Sequence, residues 1–473
     1  LKIIGVLTLL SLLMSGCVNQ NPEETDEKEA GASEVSASDE PETAESLLEI
    51  TDPEERAAVE AAAAKVKAMD EADMEQVADY FAQAAWIGKR GGYDVINIHA
   101  GHNWLLGQFL SPYENKRTDG YGGSADARAR FPKLVLDRVR ERVGEDTIIS
   151  VRFSVTEDIE GGITLEDAMR TIEIFDQTAD IIQCTVGMIH DASTEGYTYP
   201  MQYMDHGCNA VYAREAKKHV TRARIETIGG INEPDMADRL IAEGYADLVA
   251  MARSVIADPD WARKAKEGRP EDIRPCIRCL RCLNSSQKPQ TGTSVCSVNP
   301  WRILPHPLPP VTTGQVKRVA VIGGGPAGLQ AAAEIAHNGH QVTLFEQGDR
   351  LGGRLSFADY IPFKADIRRY REYLIHRVEK ADNISVCLNT RVTGETLGDG
   401  WDAVVVAIGA RPFVPPIPGV EKPHVLHAAE IFGREDRLGR RIVMVGGGQV
   451  GCEETIYLQS MGKSVEVVGL ADQ

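Results

Sequence analysis

From residue 66 onward, short apolar runs alternate with longer amphipathic ones, and this alternation restricts the chain to a parallel α/β architecture. The spacing predicts helices over 70–88, 125–143, 165–178, 209–219 and 233–243. Each predicted helix is followed by a run read as a strand, at 94–99, 147–153, 180–185, 223–228 and 246–251. Strands separated by helices imply βαβ units. Five such strands suit the last part of an eight-stranded barrel, whose reactive loops follow the strand C-termini. A second α/β region begins at Lys317 and carries two glycine-rich turns. The fold class expected is therefore α/β, a partial TIM (β/α)8 barrel followed by a Rossmann-like region.

The segment before this has a different character. Lys2 precedes an apolar run, residues 3–14, that ends in Met14-Ser15-Gly16-Cys17. That run is too short to span a bilayer; with its small residues before a cysteine it reads as a lipoprotein-type signal with a lipid anchor at Cys17. Residues 18–56 hold fourteen acids against Lys28 and Arg56, a net charge of −12. The chain's −19 therefore leaves −7 for everything else, and no basic surface for nucleic acid. Residues 18–65 are expected to be an acidic disordered linker. The expected divisions are 1–17 signal, 18–65 linker, 66–272 partial barrel, 273–316 cysteine segment and linker, and 317–473 nucleotide-binding region.

Nine cysteines are present, four of them clustered as Cys276-x2-Cys279-x2-Cys282-x13-Cys296. An odd, clustered set points to a reduced metal site rather than a disulfide framework. Four thiolates at this spacing suit a [4Fe-4S] cluster, and zinc is the alternative. The run from Val319 to Ile322 enters Gly323-x-Gly325-x-x-Gly328 and an alanine-rich helix, with Glu346 ending the next strand. This is a dinucleotide fingerprint in its required context, with Glu346 at the adenosine ribose. A second fingerprint, Gly446-x-Gly448-x-x-Gly451, is expected to take NAD(P)H. Its second strand reaches Gly469 where an NAD-specific acid would stand, and Asp472 lies nearby, so NAD and NADP both stay open.

The barrel region carries a longer signature. Strand 94–99 runs into His99-Ala-Gly-His102-Asn-Trp104, followed by Gln108-Phe-Leu-Ser-Pro112, Asn115, Arg117, Asp119, Tyr121-Gly-Gly-Ser124 and Arg128. This string resembles the Old Yellow Enzyme family. Together with the cysteine run and the flavin fingerprint, the chain resembles the group containing 2,4-dienoyl-CoA reductase, trimethylamine dehydrogenase and bile-acid enoate reductase. The resemblance implies that His99 and His102 hydrogen-bond a substrate carbonyl, stabilising charge that develops on oxygen. It places Arg152 near the FMN ring, and Gly229, Gly230, Ala252 and Arg253 at the FMN phosphate. Arg354, after Gly352-Gly353, matches FAD domains of this group. The family usually has a tyrosine proton donor where this chain has Trp104, whose indole N–H is no acid near neutral pH. His190, beside Asp191, is the candidate substitute.

The implied cofactors are FMN, FAD, a [4Fe-4S] cluster and NAD(P)H. The implied activity is reduction of a C=C bond conjugated to a carbonyl, with electrons passing from NAD(P)H through FAD and the cluster to FMN. An amine dehydrogenase of the trimethylamine dehydrogenase type, and an inactive surface lipoprotein, are the alternatives. A small unsaturated carbonyl compound is the expected partner, with homo-oligomerisation open. The first three barrel strands and the end of the second nucleotide fold are not recognisable, so the sequence is expected to be truncated at both ends. The cofactors argue for the cytoplasm and the N-terminal signal for a membrane anchor.

Overall fold

The computed structural model describes residues 6–7, 68–189, 193–286, 294–302 and 314–469. The remainder of the expected signal and linker, Cys17, His190, Asp191 and Asp472 lie outside the described residues. Two compact units are present, one built from residues up to 190 with 218–224, the other from 191–217 with 225–473.

In the first unit, Val6–Leu7, within the run read as a signal, forms a short strand, β1. It pairs in parallel with β2 (Val95–His99). Between them helix α1 (Glu71–Arg90) starts at a capping box: the Asp70 carboxylate accepts from Asp73 N at 3.0 Å, and Asp73 accepts from Asp70 N at 2.9 Å. Acids in its first turn and Lys89 and Arg90 in its last suit the helix dipole. After β2 come α2 (Leu105–Leu110), α3 (Ala125–Val143), β3 (Ile148–Ser154), α4 (Leu165–Phe175) and β4 (Ile181–Thr185). The strands run parallel, in the register His99↔Arg152 and Ser154↔Thr185. Phe131, Phe153 and Phe175 are fully buried, and the Phe153 and Phe175 rings meet edge to face at 5.6 Å. Each such burial contributes about 1.5–3 kcal/mol.

In the second unit, α5 (Ala210–Ala216) precedes β5 (Arg224–Ile228), α6 (Pro234–Ala242) and β6 (Leu248–Ala250), with β5 and β6 parallel. Helices α7 (Arg253–Ala257) and α8 (Arg281–Ser286) follow. A four-stranded parallel sheet then has the order β10-β7-β8-β9, from β7 (Arg318–Ile322), β8 (Gln341–Phe345), β9 (Ile384–Cys387) and β10 (Ala403–Val406). Its apolar face packs on α9 (Pro326–His337) and α10 (Ala365–Glu379) through Val319, Val321, Leu329, Ala332, Leu344 and Leu374. Finally β11 (Arg441–Val445) and β12 (Ser464–Val468) pair in parallel, joined by α11 (Gln449–Ser460). Among the described residues no helix is long and apolar enough to cross a membrane.

Candidate functional site

The C-terminal ends of β2, β3 and β4 carry His99, Arg152 and Thr185, and the loop after β2 carries His102. Four side chains form one chain of contacts. Arg152 Nη2 donates to Thr185 Oγ1 at 3.4 Å, Thr185 Oγ1 lies 3.1 Å from His102 Nε2, and His102 Nδ1 lies 3.3 Å from His99 Nε2. The loop is held from one side by a serine. Ser154 Oγ accepts from His102 N at 3.2 Å and donates to the Gly187 carbonyl at 2.8 Å. His102 and Asn103 sit at φ of 54° and 60°, a left-handed conformation that glycine adopts easily and other residues only under constraint. Burial, reinforced by the Arg152 cation, pushes the His99 imidazole down to about 3 and His102 well below its ordinary value. Both rings are therefore neutral near pH 7, able to hydrogen-bond but not to act as imidazolium acids. His99 Nδ1 is buried and makes no hydrogen bond of normal geometry. Trp104 is partly exposed, its ring centroid 6.5 Å from that of His99.

In the second unit, β5 ends in Gly229 and Gly230 at φ of 142° and 67°, which turns the backbone so that its N–H groups are presented. Thr227 Oγ1, on the same strand, and Nη1 of Arg253 are both buried without a hydrogen-bond partner. Burial lowers the pKa of the Arg253 guanidinium, while Cys276 and Cys282 act in the opposite direction.

All four clustered cysteines line one pocket, together with Arg253, Ile256, Ile277, Leu280, Ser297 and Val298. The backbone of this loop is bent sharply: Arg278 and Leu280, each next to Cys279, have φ of 48° and 56°. Arg278 N donates to Cys276 Sγ at 3.4 Å, and Cys279 Sγ lies 3.3 Å from Ser297 Oγ. Burial pushes the Cys276 thiol up to about 12, so a thiolate there needs a metal or other cation beside it. A zinc tetrahedron with 2.3 Å bonds brings its sulfurs to about 3.8 Å from one another. Among the described residues, no three of these sulfurs lie within 4.8 Å of one another. A four-iron cube holds its thiolates at its outer corners, farther apart, and the donor set fits it.

The loop is anchored from behind. Arg278 Nε donates to Asp366 at 2.7 Å and Arg278 Nη1 to the Met204 carbonyl at 2.6 Å. Asn232 Nδ2 donates to both Asp366, at 2.9 Å, and the Cys276 carbonyl, at 3.1 Å. His206 Nε2 lies 3.0 Å from Asp366.

Both glycine fingerprints take the expected form. Gly325 and Gly448 are the N-caps of α9 and α11. A Cβ on Gly328 would lie 1.8 Å from the Gly323 carbonyl oxygen, and one on Gly451 1.9 Å from that of Gly446, so only glycine lets these helices approach their strands. Glu346 stands at the end of β8, where its carboxylate accepts from Gly324 N and Gly348 N, each at 2.7 Å. It thus braces the turn. The turn before the exposed Arg354 docks on the first fingerprint, with Gly352 N donating to the Gly324 carbonyl at 2.8 Å.

The structure brings together His99, His102 and Arg152 in the first unit, and Arg253 and the four cysteines in the second, where Gly229 and Gly230 follow β5 and Ala252 precedes α7. Sequence reasoning missed Thr185, Asn232, Arg278 and Asp366. Thr185 was within reach, since it ends a barrel strand as Arg152 does; Arg278 was too, lying between two of the cysteines. Nothing in the sequence marks Asn232 or Asp366.

Known proteins share this arrangement. The chain is 37% identical to an NADH oxidase of Thermoanaerobacter brockii over 404 residues, covering 84% of this chain and 61% of that one. It is 30% identical to a cinnamate reductase of Clostridium sporogenes, covering 84% and 62%. A solved 2-naphthoyl-CoA reductase in complex with 2-naphthoyl-CoA superposes with a TM-score of 0.77 at 30% identity, covering 85% of this chain and 61% of that one. The chain thus spans about three fifths of the length of these relatives. Residues 317–473 match the pyridine nucleotide-disulphide oxidoreductase profile. Residues 11–272 match the profile of the NADH:flavin oxidoreductase / NADH oxidase family, to which this chain belongs.

Proposed function

We propose that the protein is an NAD(P)H-dependent flavin and iron–sulfur oxidoreductase that reduces the C=C bond of an α,β-unsaturated carbonyl compound, such as an enoate or enoyl thioester. The observation that carries this reading is the buried, neutral histidine pair, His99 and His102, joined ring to ring beside the Arg152 cation. Guanidinium groups only donate, so Thr185 Oγ1 accepts from Arg152, and it lies 3.1 Å from His102 Nε2. His99 Nε2 and His102 Nδ1 meet at 3.3 Å, and each ring also has a backbone partner, Arg152 for His99 and Val186 for His102. A neutral ring N–H of the pair is the donor for a substrate oxygen, and it strengthens as negative charge gathers there.

By the family resemblance, Arg152 would serve the FMN ring and Gly229, Gly230 and Arg253 its phosphate, and FMN would supply a hydride to the β-carbon. The α-carbon takes a proton, which we assign to His190 with Asp191 beside it, because the Trp104 indole cannot give one. Cys276, Cys279, Cys282 and Cys296 would hold the [4Fe-4S] cluster, the first fingerprint FAD and the second NAD(P)H. When bound, these groups would supply an electron path from the nicotinamide to FMN. The relatives named as reductases support this direction of chemistry.

The test is anaerobic stopped-flow. Protein purified with its cofactors and reduced by NADH is mixed with cinnamate, an enoyl-CoA or a secondary amine. Rapid flavin reoxidation by either conjugated carbonyl, with the saturated product formed, is the expected result. Reduction of oxidised flavin by the amine alone would replace this reading with amine oxidation.

A further inference from the structure

We infer that Arg253 plays a second part, as the electrostatic counter-charge of the four-cysteine pocket, shared between the thiolate cluster and the phosphate at Gly229-Gly230. This rests on the proposed cluster and FMN sites and extends them, because it couples the two. Arg253 opens α7 directly after Ala252, and its side chain lines the pocket whose wall also holds Cys276, Cys279, Cys282 and Cys296. Its Nη1 is buried and makes no hydrogen bond. Among the described residues no carboxylate stands in ion-pair range of it. The contrast is Arg278 in the cysteine loop itself, whose charge is matched by Asp366 at 2.7 Å. Of these two arginines, then, Arg278 is paired directly with a carboxylate, whereas Arg253 feels Asp366 only at a distance and has room for an anion the protein must acquire.

A buried unit charge acts strongly at short range because little solvent screens it. Four thiolates around a four-iron cube carry a net negative charge, which grows by one when an electron arrives. An uncompensated cation beside them stabilises the reduced form more than the oxidised one, and so raises the midpoint potential. The phosphate assigned to Gly229-Gly230 would draw on the same guanidinium, because Ile228 and Ala250, which end β5 and β6 just ahead of Gly229 and Arg253, are register partners. Filling that site is therefore expected to lower the potential of the cluster and favour passage of its electron onward.

The experiment is a redox titration of the cofactor-loaded protein followed by electron paramagnetic resonance, on wild type, Arg253→Lys and Arg253→Gln. At a fixed potential the reduced-to-oxidised ratio is expected to fall at least tenfold in Arg253→Gln, equivalent to 59 mV for one electron. Arg253→Lys, which keeps the charge, should stay within threefold of wild type. Wild-type protein stripped of FMN provides a second measurement that does not depend on any variant assembling: its cluster should titrate at higher potential, and adding inorganic phosphate should bring it back down. Equal midpoints for wild type and Arg253→Gln overturn the inference while leaving the cluster in place. If Arg253→Gln assembles no cluster, an FMN-stripped wild type with an unmoved midpoint does the same. Wild type with no [4Fe-4S] signal at all overturns the proposed function itself.

Discussion

At the scale of single residues, Thr185 orders the histidine pair. It is fully buried, and its hydroxyl is the link between the fixed Arg152 cation and His102. Thr185→Val keeps the shape and deletes the link. A lost hydrogen bond of about 1–1.5 kcal/mol corresponds to roughly a tenfold slower turnover. Steady-state kinetics with an enoate should show the loss in kcat, with the FMN content unchanged. The same histidines shape acid stability. A group whose folded pKa is depressed binds fewer protons folded than unfolded, so its contribution holds above about 6.5 and is lost as pH falls towards the folded value. For His99 that value is about 3, which opens a window from about 6.5 down to 3. Urea midpoints measured across that window should decline less steeply in His99→Gln than in wild type, by up to about 1.4 kcal/mol per pH unit.

At the scale of elements, the periodicity carried most of the information. The predicted helix 125–143 is the observed Ala125–Val143, and the strand ends that place His99 and Arg152 are correct to within one residue. Those signals are local, because a strand between helices must be apolar and a helix on a sheet must repeat its apolar face. Where the reading drifted, a distant contact decided. The predicted helix 165–178 ends at Phe175, since the Asp176 carboxylate turns aside to accept from Thr221 N, Arg222 N and Ala223 N, some 45 residues away. The strand read at 246–251 shortens to Leu248–Ala250. The two fingerprints were legible because each needs its last glycine for helix–strand contact, and this yields a paired test. Gly328→Ala should release FAD and retain FMN, since the added carbon meets a backbone oxygen at 1.8 Å and must displace α9. Gly451→Ala should leave both flavins bound and weaken reduction by NADH. Flavin released on denaturation, separated by chromatography, and the rate of NADH-driven flavin bleaching measure the two outcomes.

At the scale of the molecule, the second unit is tied together by a polar knot that no stretch of sequence reveals, because its members lie far apart in the chain. Asp366 on α10 is about 1% exposed and receives Arg278, Asn232 and His206. Glu233 continues the knot, facing His206 at 3.3 Å and Arg369 at 3.0 Å. Although burial alone would raise it, the pKa of Asp366 is held far below the usual carboxylate range by His206 and Arg278. His206 moves the other way: burial would lower it, but Asp366 and Glu233 raise it. The carboxylate's contribution is present above about 3.9 and lost on acidification, whereas that of His206 is complete below about 6.5 and fades as pH rises through its raised value. The knot is therefore tightest between about pH 4 and 6.5. Asp366→Asn keeps the volume and removes the charge, leaving Arg278 buried without its partner. Breaking one side of a buried pair costs about 3–5 kcal/mol, a large share of the stability of an ordinary domain. Because Arg278 and Asn232 both grip the Cys276 segment, the damage should reach the cysteine pocket before the nucleotide folds. Iron per chain is expected to drop sharply in Asp366→Asn, and the urea midpoint of the cofactor-free protein to fall, while FAD content holds. An unchanged midpoint with full iron loading would show that the knot is a consequence of folding rather than one of its supports.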